Sequence, residues 1–175
     1  AAAVVLAPGT FLNGLMHVGL RTAPGGRAEE PRVSALLPRR LAGLGLRMLR
    51  FKTGTCARLD GSSIRLDGLD AQPGDDPPSP LSFSTRRLDV RQAVCRLTHT
   101  TARTAEIIRA NLDRSPLFSG VITGTGVRYC PSIEDKIVKF PHHGRHHVFL
   151  EPETADGRVY YPNGLSTSLP EDAQD

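Results

Sequence analysis

Gly126-Val127-Arg128-Tyr129-Cys130-Pro131-Ser132-Ile133-Glu134-Asp135-Lys136-Ile137-Val138-Lys139-Phe140 is the stretch that decides how this chain folds and what it does. A single cysteine stands in a turn just ahead of a segment patterned as a helix. Ser132 is placed to cap that helix, its hydroxyl accepting the backbone N–H of Asp135. Glu134 and Asp135 fall in the first turn, where the positive end of the helix dipole favours carboxylates. Ile133, Ile137 and Phe140 recur on one face, so the helix runs to about Phe140. Cys130 then lies two residues outside a helix N-terminus, with Arg128 and Lys136 near it in sequence, and these features favour thiolate over thiol. Glu134 and Asp135 oppose them, and a small buried cysteine in an ordinary turn is an equally good reading of the local chemistry.

Outward from this segment the chain alternates short apolar runs with turns. Val4-Val5-Leu6 reads as a short buried strand broken by Pro8-Gly9, and Phe11 to Val18 continues as an apolar segment. A strand ending in a glycine turn is where α/β folds receive ligands. Thr22 to Pro31, with Gly25-Gly26-Arg27, reads as an exposed loop. Ser34 can cap a short helix through Leu41, closed by Gly43 and Gly45, with Pro38 in its first turn. Arg50-Phe51-Lys52-Thr53-Gly54-Thr55-Cys56-Ala57-Arg58 sets cations and hydroxyls around a glycine, a composition suited to phosphate, although the spacing is not that of a P-loop. Asp70 to Pro80 is a turn-rich acidic connector.

Beyond the connector, Leu81-Ser82-Phe83 and Val94-Cys95-Arg96-Leu97-Thr98 suggest strands. Thr101 or Thr104 opens a helix to about Leu112, with Ile107, Ile108 and Leu112 inward. The tract Pro141-His142-His143-Gly144-Arg145-His146-His147 lacks helical spacing and a neighbouring carboxylate or CxxC. It is expected to be a basic turn leading into a strand from His147 to Leu150, and no metal site is expected.

Composition bounds the classes available. The chain has 175 residues, 39% of them hydrophobic, enough for one core but short for a complete two-nucleotide enzyme. It therefore reads as an internal fragment. No apolar run is long enough for a membrane span, and Ala1 to Leu6 lacks the charged region of a secretory leader. Cys56, Cys95 and Cys130 make an odd, widely spaced set, which fits a reducing compartment better than a disulfide framework. The net charge of +4 is unevenly spread: eleven of the 22 basic residues and only five of the 18 acidic ones lie between residues 86 and 149. A basic middle segment suits a polyanion. Aromatic residues are only 5% with no Trp, so no stacking platform for single-stranded RNA is evident.

The string GVRYCPSIEDKIVKF closely resembles the GPRYCPSIEDK signature of the MnmG (GidA) family of flavoenzymes. Further blocks follow in that family's order: Gly9-Thr10-Phe11-Leu12-Asn13-Gly14, Lys52-Thr53-Gly54-Thr55, Asn111-Leu112-Asp113-Arg114-Ser115-Pro116, Phe149-Leu150-Glu151-Pro152-Glu153, and Tyr161-Pro162-Asn163-Gly164-Leu165-Ser166-Thr167-Ser168-Leu169-Pro170. Cys95-Arg96-Leu97-Thr98-His99-Thr100 resembles another family block, in which Cys95 reads as a packing residue. Cys56-Ala57 replaces the proline pair of the family's KTGTPPR.

The resemblance implies an α/β fold of the FAD/NAD(P)-binding, Rossmann-like, glutathione-reductase-like kind with an inserted α+β subdomain. Residues 1–80 would be part of the FAD-binding domain, 81–150 the inserted dinucleotide and active-site subdomain, and 151–175 the return toward the FAD-binding domain. It implies bound FAD reduced by NADH, methylene-tetrahydrofolate as co-substrate, and aminomethylation at C5 of tRNA uridine 34. It further implies a homodimer working with the GTPase MnmE in a cytoplasmic or organellar setting. Gly126 to Phe140 corresponds to the family's dinucleotide contact region, Ser34 to a serine near the flavin, and Cys130 to a cysteine proposed for the chemistry. A thiolate there suits attack at C6 of the uracil ring or proton abstraction at C5. The missing GxGxxG and second cysteine imply that the chain alone is inactive. Two other readings stay open on sequence alone: the folate- and FAD-dependent tRNA uridine methyltransferase TrmFO, and a non-enzymatic RNA-binding module.

Overall fold

The computed structural model describes residues 1–26 and 33–175. The part of the expected glycine loop from Arg27 to Pro31 therefore lies outside the described residues. In chain order the elements are β1 (Leu15–Val18), β2 (Arg21–Pro24), α1 (Leu36–Gly43), β3 (Phe51–Lys52), β4 (Leu59–Asp60), β5 (Asp70–Gln72), β6 (Cys95–His99), α2 (Ala102–Ala110), β7 (Thr125–Gly126), α3 (Ile133–Lys139), β8 (His147–Pro152), β9 (Val159–Asn163) and α4 (Glu171–Gln174). The fold is mixed α/β. Two compact units form, one from residues 1–53, 111–129 and 168–175, the other from 54–110 and 130–167. Both are discontinuous, because strand pairing joins distant stretches of chain: β3 with β7 in the first, and β4 with β9 and β6 with β8 in the second.

In the first unit, β1 and β2 form a hairpin in register Leu15↔Pro24 to Val18↔Arg21. Thr22 to Pro24 is thus a paired strand and not the start of a loop. A parallel pair joins β3 and β7, with Lys52 opposite Gly126. Ser34 makes a bridge with Leu12, and its backbone exchanges hydrogen bonds of 2.9 Å with Phe11 and Asn13. The C-terminal helix α4 is fastened by Arg21–Glu171 and by Arg114, whose Nη2 reaches both carboxylate oxygens of Asp172.

The second unit is built on a five-stranded antiparallel sheet in the order β4-β9-β8-β6-β5. Alternation along β8 and β9 turns Val148, Leu150 and Tyr160 to one face, where Ile64, Leu66, Leu69 and Leu165 pack against them. On α2 and α3, Ile108, Ile133 and Ile137 are buried.

The expected helices after Cys95 and after Cys130 form close to their expected bounds, and α2 opens at Thr101, whose Oγ1 accepts the Thr104 N–H. Other expectations change. Ile107 is more than a third exposed and Phe140 is half-exposed, so each helix buries a narrower stripe than its apolar pattern suggests. Val4-Val5-Leu6 and Leu81-Ser82-Phe83 form no strands and lie exposed. An apolar run becomes a strand only where a neighbour satisfies its backbone groups, and among the described residues none pairs with these two. Among the described residues, no helix is long and apolar enough to cross a membrane.

Candidate functional site

Cys130 begins the last long segment of the second unit, half-buried and outside any disulfide. The turn that follows is fixed by local chemistry. Ser132 has extended backbone angles and accepts the Asp135 N–H at 3.2 Å, which caps α3. The Ile133 N–H, unused by the helix, donates to the Ser166 carbonyl at 2.8 Å. Ser132 is 2% exposed and Glu134 is fully buried, so the helix start is part of the interior.

Lys136, one turn on, donates from Nζ to the Gly164 carbonyl at 2.9 Å. Burial pushes its ammonium below the ordinary lysine range, and attraction to Cys130 partly offsets this. Lys139 pairs with Asp135 at 2.9 Å, and Val138 and Phe140 are exposed.

Gly126, Val127, Arg128 and Tyr129 belong to the first unit. The Val127 N–H donates to the Lys52 carbonyl at 3.2 Å, extending the parallel pair so that the Lys52-Thr53 and Gly126-Val127 strand ends leave side by side. Its chain neighbours aside, no atom among the described residues lies within 4 Å of where a side chain on Gly126 would begin, so a ligand can approach the backbone there. Arg128 lies with its guanidinium carbon 4.7 Å from the ring centre of Tyr129, which is 85% exposed with φ of 67°. An open glycine, a cation and an aromatic face at the carboxyl ends of parallel strands fit a dinucleotide. Ser34, also in this unit, accepts the Leu37 N–H at 3.4 Å, just ahead of α1. A serine hydroxyl can donate as well as accept.

The structure commits the expected phosphate-binding cations to internal roles. Arg50 donates to the Asn13 carbonyl at 3.1 Å, and Lys52 is buried. In the second unit, Arg58 forms a two-pronged pair with Glu153, donates to Thr55 Oγ1 and the Cys56 carbonyl, and lies 4.4 Å over the Tyr161 ring. Burial pushes the Cys56 thiol up, against a hydrogen bond with Tyr161 and the Arg58 charge. Sequence alone assigns Glu153 and Tyr161 no such role, since no local pattern links them to Arg58. The Thr55 carbonyl accepts the Thr167 N–H at 3.0 Å, next to the Ser166 that holds Ile133.

The histidine tract is a turn, with His143 and His146 rings 6.0 Å apart and His147 beside His99 at 4.8 Å. Burial first, then Lys136, His143 and His147, hold His146 below the usual imidazole range. Among the described residues, no group of three His, Cys, Asp or Glu side chains is arranged to hold a metal ion.

Comparison with known proteins covers the whole length of the chain. A family profile described as Glucose inhibited division protein A matches residues 1–175. The chain is 57% identical over 174 residues to the tRNA uridine 5-carboxymethylaminomethyl modification enzyme MnmG of Geobacter metallireducens, covering 99% of this chain and 28% of that protein. It is 58% identical over 172 residues to the same-named protein of Geobacter sulfurreducens, covering 98% and 27%. The solved structure of Aquifex aeolicus GidA superposes with a TM-score of 0.81 at 50% identity, over 95% of this chain and 29% of that one. The chain thus spans a little over a quarter of the length of the relatives it matches. It belongs to the Glucose inhibited division protein A family.

Proposed function

We propose that this chain is the dinucleotide-contacting and thiol-bearing segment of an FAD- and NADH-dependent enzyme that installs a carboxymethylaminomethyl-type group at C5 of wobble uridine in tRNA. The activity for which the relatives are named supports the substrate and the modification. The observation that carries the dinucleotide part is the parallel β3–β7 pair, which sets the open backbone of Gly126 beside Lys52 with Arg128 two residues on.

When bound, the nicotinamide would supply reducing equivalents to the flavin. Gly126 would admit the pyrophosphate to the backbone, Arg128 would neutralise phosphate charge, and the Ser34 hydroxyl would donate to the flavin. Cys130 supplies the thiol that works on the uracil ring, with Lys136 in the first turns of the helix that follows it. Methylene-tetrahydrofolate as one-carbon donor, a homodimer, the GTPase partner MnmE and a cytoplasmic setting complete the reading by resemblance. Within this reading activity is assigned to a protein of the relatives' full length, of which the chain matches a little over a quarter.

The test is NADH-driven flavin reduction in the full-length Geobacter metallireducens relative with its matching segment replaced by this chain. Arg128→Ala should raise the NADH concentration for half-maximal reduction by about tenfold. An unchanged requirement would remove Arg128 from the dinucleotide site.

A further inference from the structure

Phe83 and Leu81 are the most exposed large apolar side chains among the described residues, at 110% and 101%. Phe83 does not dangle from a loose loop. The Thr85 N–H donates to the Ser82 carbonyl at 3.1 Å, the Ser84 N–H to Ser82 Oγ at 3.3 Å, and the two serine hydroxyls lie 2.9 Å apart. This closed turn puts Phe83 at its tip and fixes the backbone that carries the ring, which lowers the entropy lost on binding. Directly behind it in the chain stand Arg86, Arg87 and Arg91, all exposed, with Asp89 the only acid between residues 81 and 94.

A preformed apolar ring backed by three cations matches one partner chemistry well. Single-stranded RNA offers unstacked base faces for the ring and phosphates for the guanidinium groups. A duplex offers phosphates but no free base face. A second copy of the chain would bring the same excess of positive charge toward this turn.

We infer that the Ser82–Thr85 turn is a base-stacking contact for a single-stranded RNA loop, with Phe83 as the stacking ring and Arg86 and Arg87 as phosphate contacts. The inference rests on the proposal that tRNA is the substrate, and it assigns part of the recognition to a segment outside the Gly126–Phe140 region.

The chain contains no Trp, so Phe83→Trp introduces a sole indole reporter. Two probes are used: an anticodon stem-loop RNA with uridine in the loop, and a blunt RNA duplex of equal length. The stem-loop should quench the indole and the duplex should not. Phe83→Ala should weaken stem-loop binding about tenfold and leave its salt dependence unchanged. Arg86→Ala with Arg87→Ala should lower the slope of log affinity against log salt by about one. Equal stem-loop affinity for the unsubstituted chain and the Phe83→Ala chain overturns the inference while leaving the tRNA reading intact. Indole quenching that follows protein concentration without RNA overturns it in favour of self-association. Absence of stem-loop and tRNA binding by the unsubstituted chain overturns it together with the substrate reading for this segment.

Discussion

Arg58 and Glu153, 95 residues apart in sequence, meet through two parallel hydrogen bonds, Nε to Oε2 at 2.8 Å and Nη2 to Oε1 at 2.9 Å. The pair ties the strand end before β4 to the end of β8. Thr55, which Arg58 also holds, continues the connection to Thr167, next to the Ser166 that anchors the first residue of α3. Both side chains are 36% exposed, so solvent screens part of the attraction. Arg58→Ala should lower stability by about 1 kcal/mol, and Arg58→Lys by less, because lysine keeps the charge but loses the fork. Urea denaturation of the three chains checks this, and equal midpoints would show that the pair contributes nothing.

Gly164→Ala should be more damaging. Gly164 has φ of 111°, and a β-carbon there would lie 2.5 Å from the His147 carbonyl oxygen. The same residue's carbonyl receives Lys136 Nζ, so a backbone shift also disturbs the helix behind Cys130. The expected loss exceeds about 1 kcal/mol, read as a lowered thermal midpoint. An unchanged midpoint would mean that the strand end relaxes freely.

Mild acid should destabilise the second unit through His146. Burial and the neighbouring Lys136, His143 and His147 lower its folded-state affinity for a proton. Between that lowered value and the ordinary 6.5, the unfolded chain binds more protons, so stability falls as pH drops through 6.5 toward the folded value. The loss is complete below the folded value and absent well above 6.5. Urea midpoints between about pH 8 and about pH 5 should fall in that direction, and His146→Gln should flatten the fall. A profile that rises toward acid would contradict the burial of a neutral imidazole.

Cys56 and Cys130 should differ in reactivity. Cys56 is 4% exposed, and burial raises its affinity for a proton, whereas Cys130 is only half-buried and lies near the Lys136 charge. Iodoacetamide at neutral pH should label Cys130 well before Cys56, as read by peptide mass spectrometry. Preferential labelling of Cys56 would contradict the buried position of the Cys56 loop.

What the sequence reveals is local. Helix α3, its Ser132 cap and its acidic first turn follow from residues within three positions of one another, and β8 follows from the apolar run behind the histidine turn. What it hides depends on distant partners. Val4-Val5-Leu6 and Leu81-Ser82-Phe83 have the composition of strands but, among the described residues, no neighbour to pair with. Conversely, Phe51-Lys52 pairs with Thr125-Gly126 across a separation no periodicity reports. Arg58 reads as a phosphate ligand because its sequence neighbours are cations and hydroxyls, while its partner Glu153 lies in another block. The Phe83 turn escapes a pattern reading for a related reason, since the serine and threonine contacts that close it are invisible beside the apolar alternation of Leu81 and Phe83.

The most direct measurement is mass spectrometry of the wobble uridine in tRNA from a bacterial strain lacking its own family enzyme. The strain carries the full-length Geobacter metallireducens relative with its matching segment exchanged for this chain, with and without Cys130→Ser. The expected result is modified uridine with Cys130 present and unmodified uridine with serine in its place, at equal protein levels. Modification that survives Cys130→Ser would contradict the central role given to this thiol.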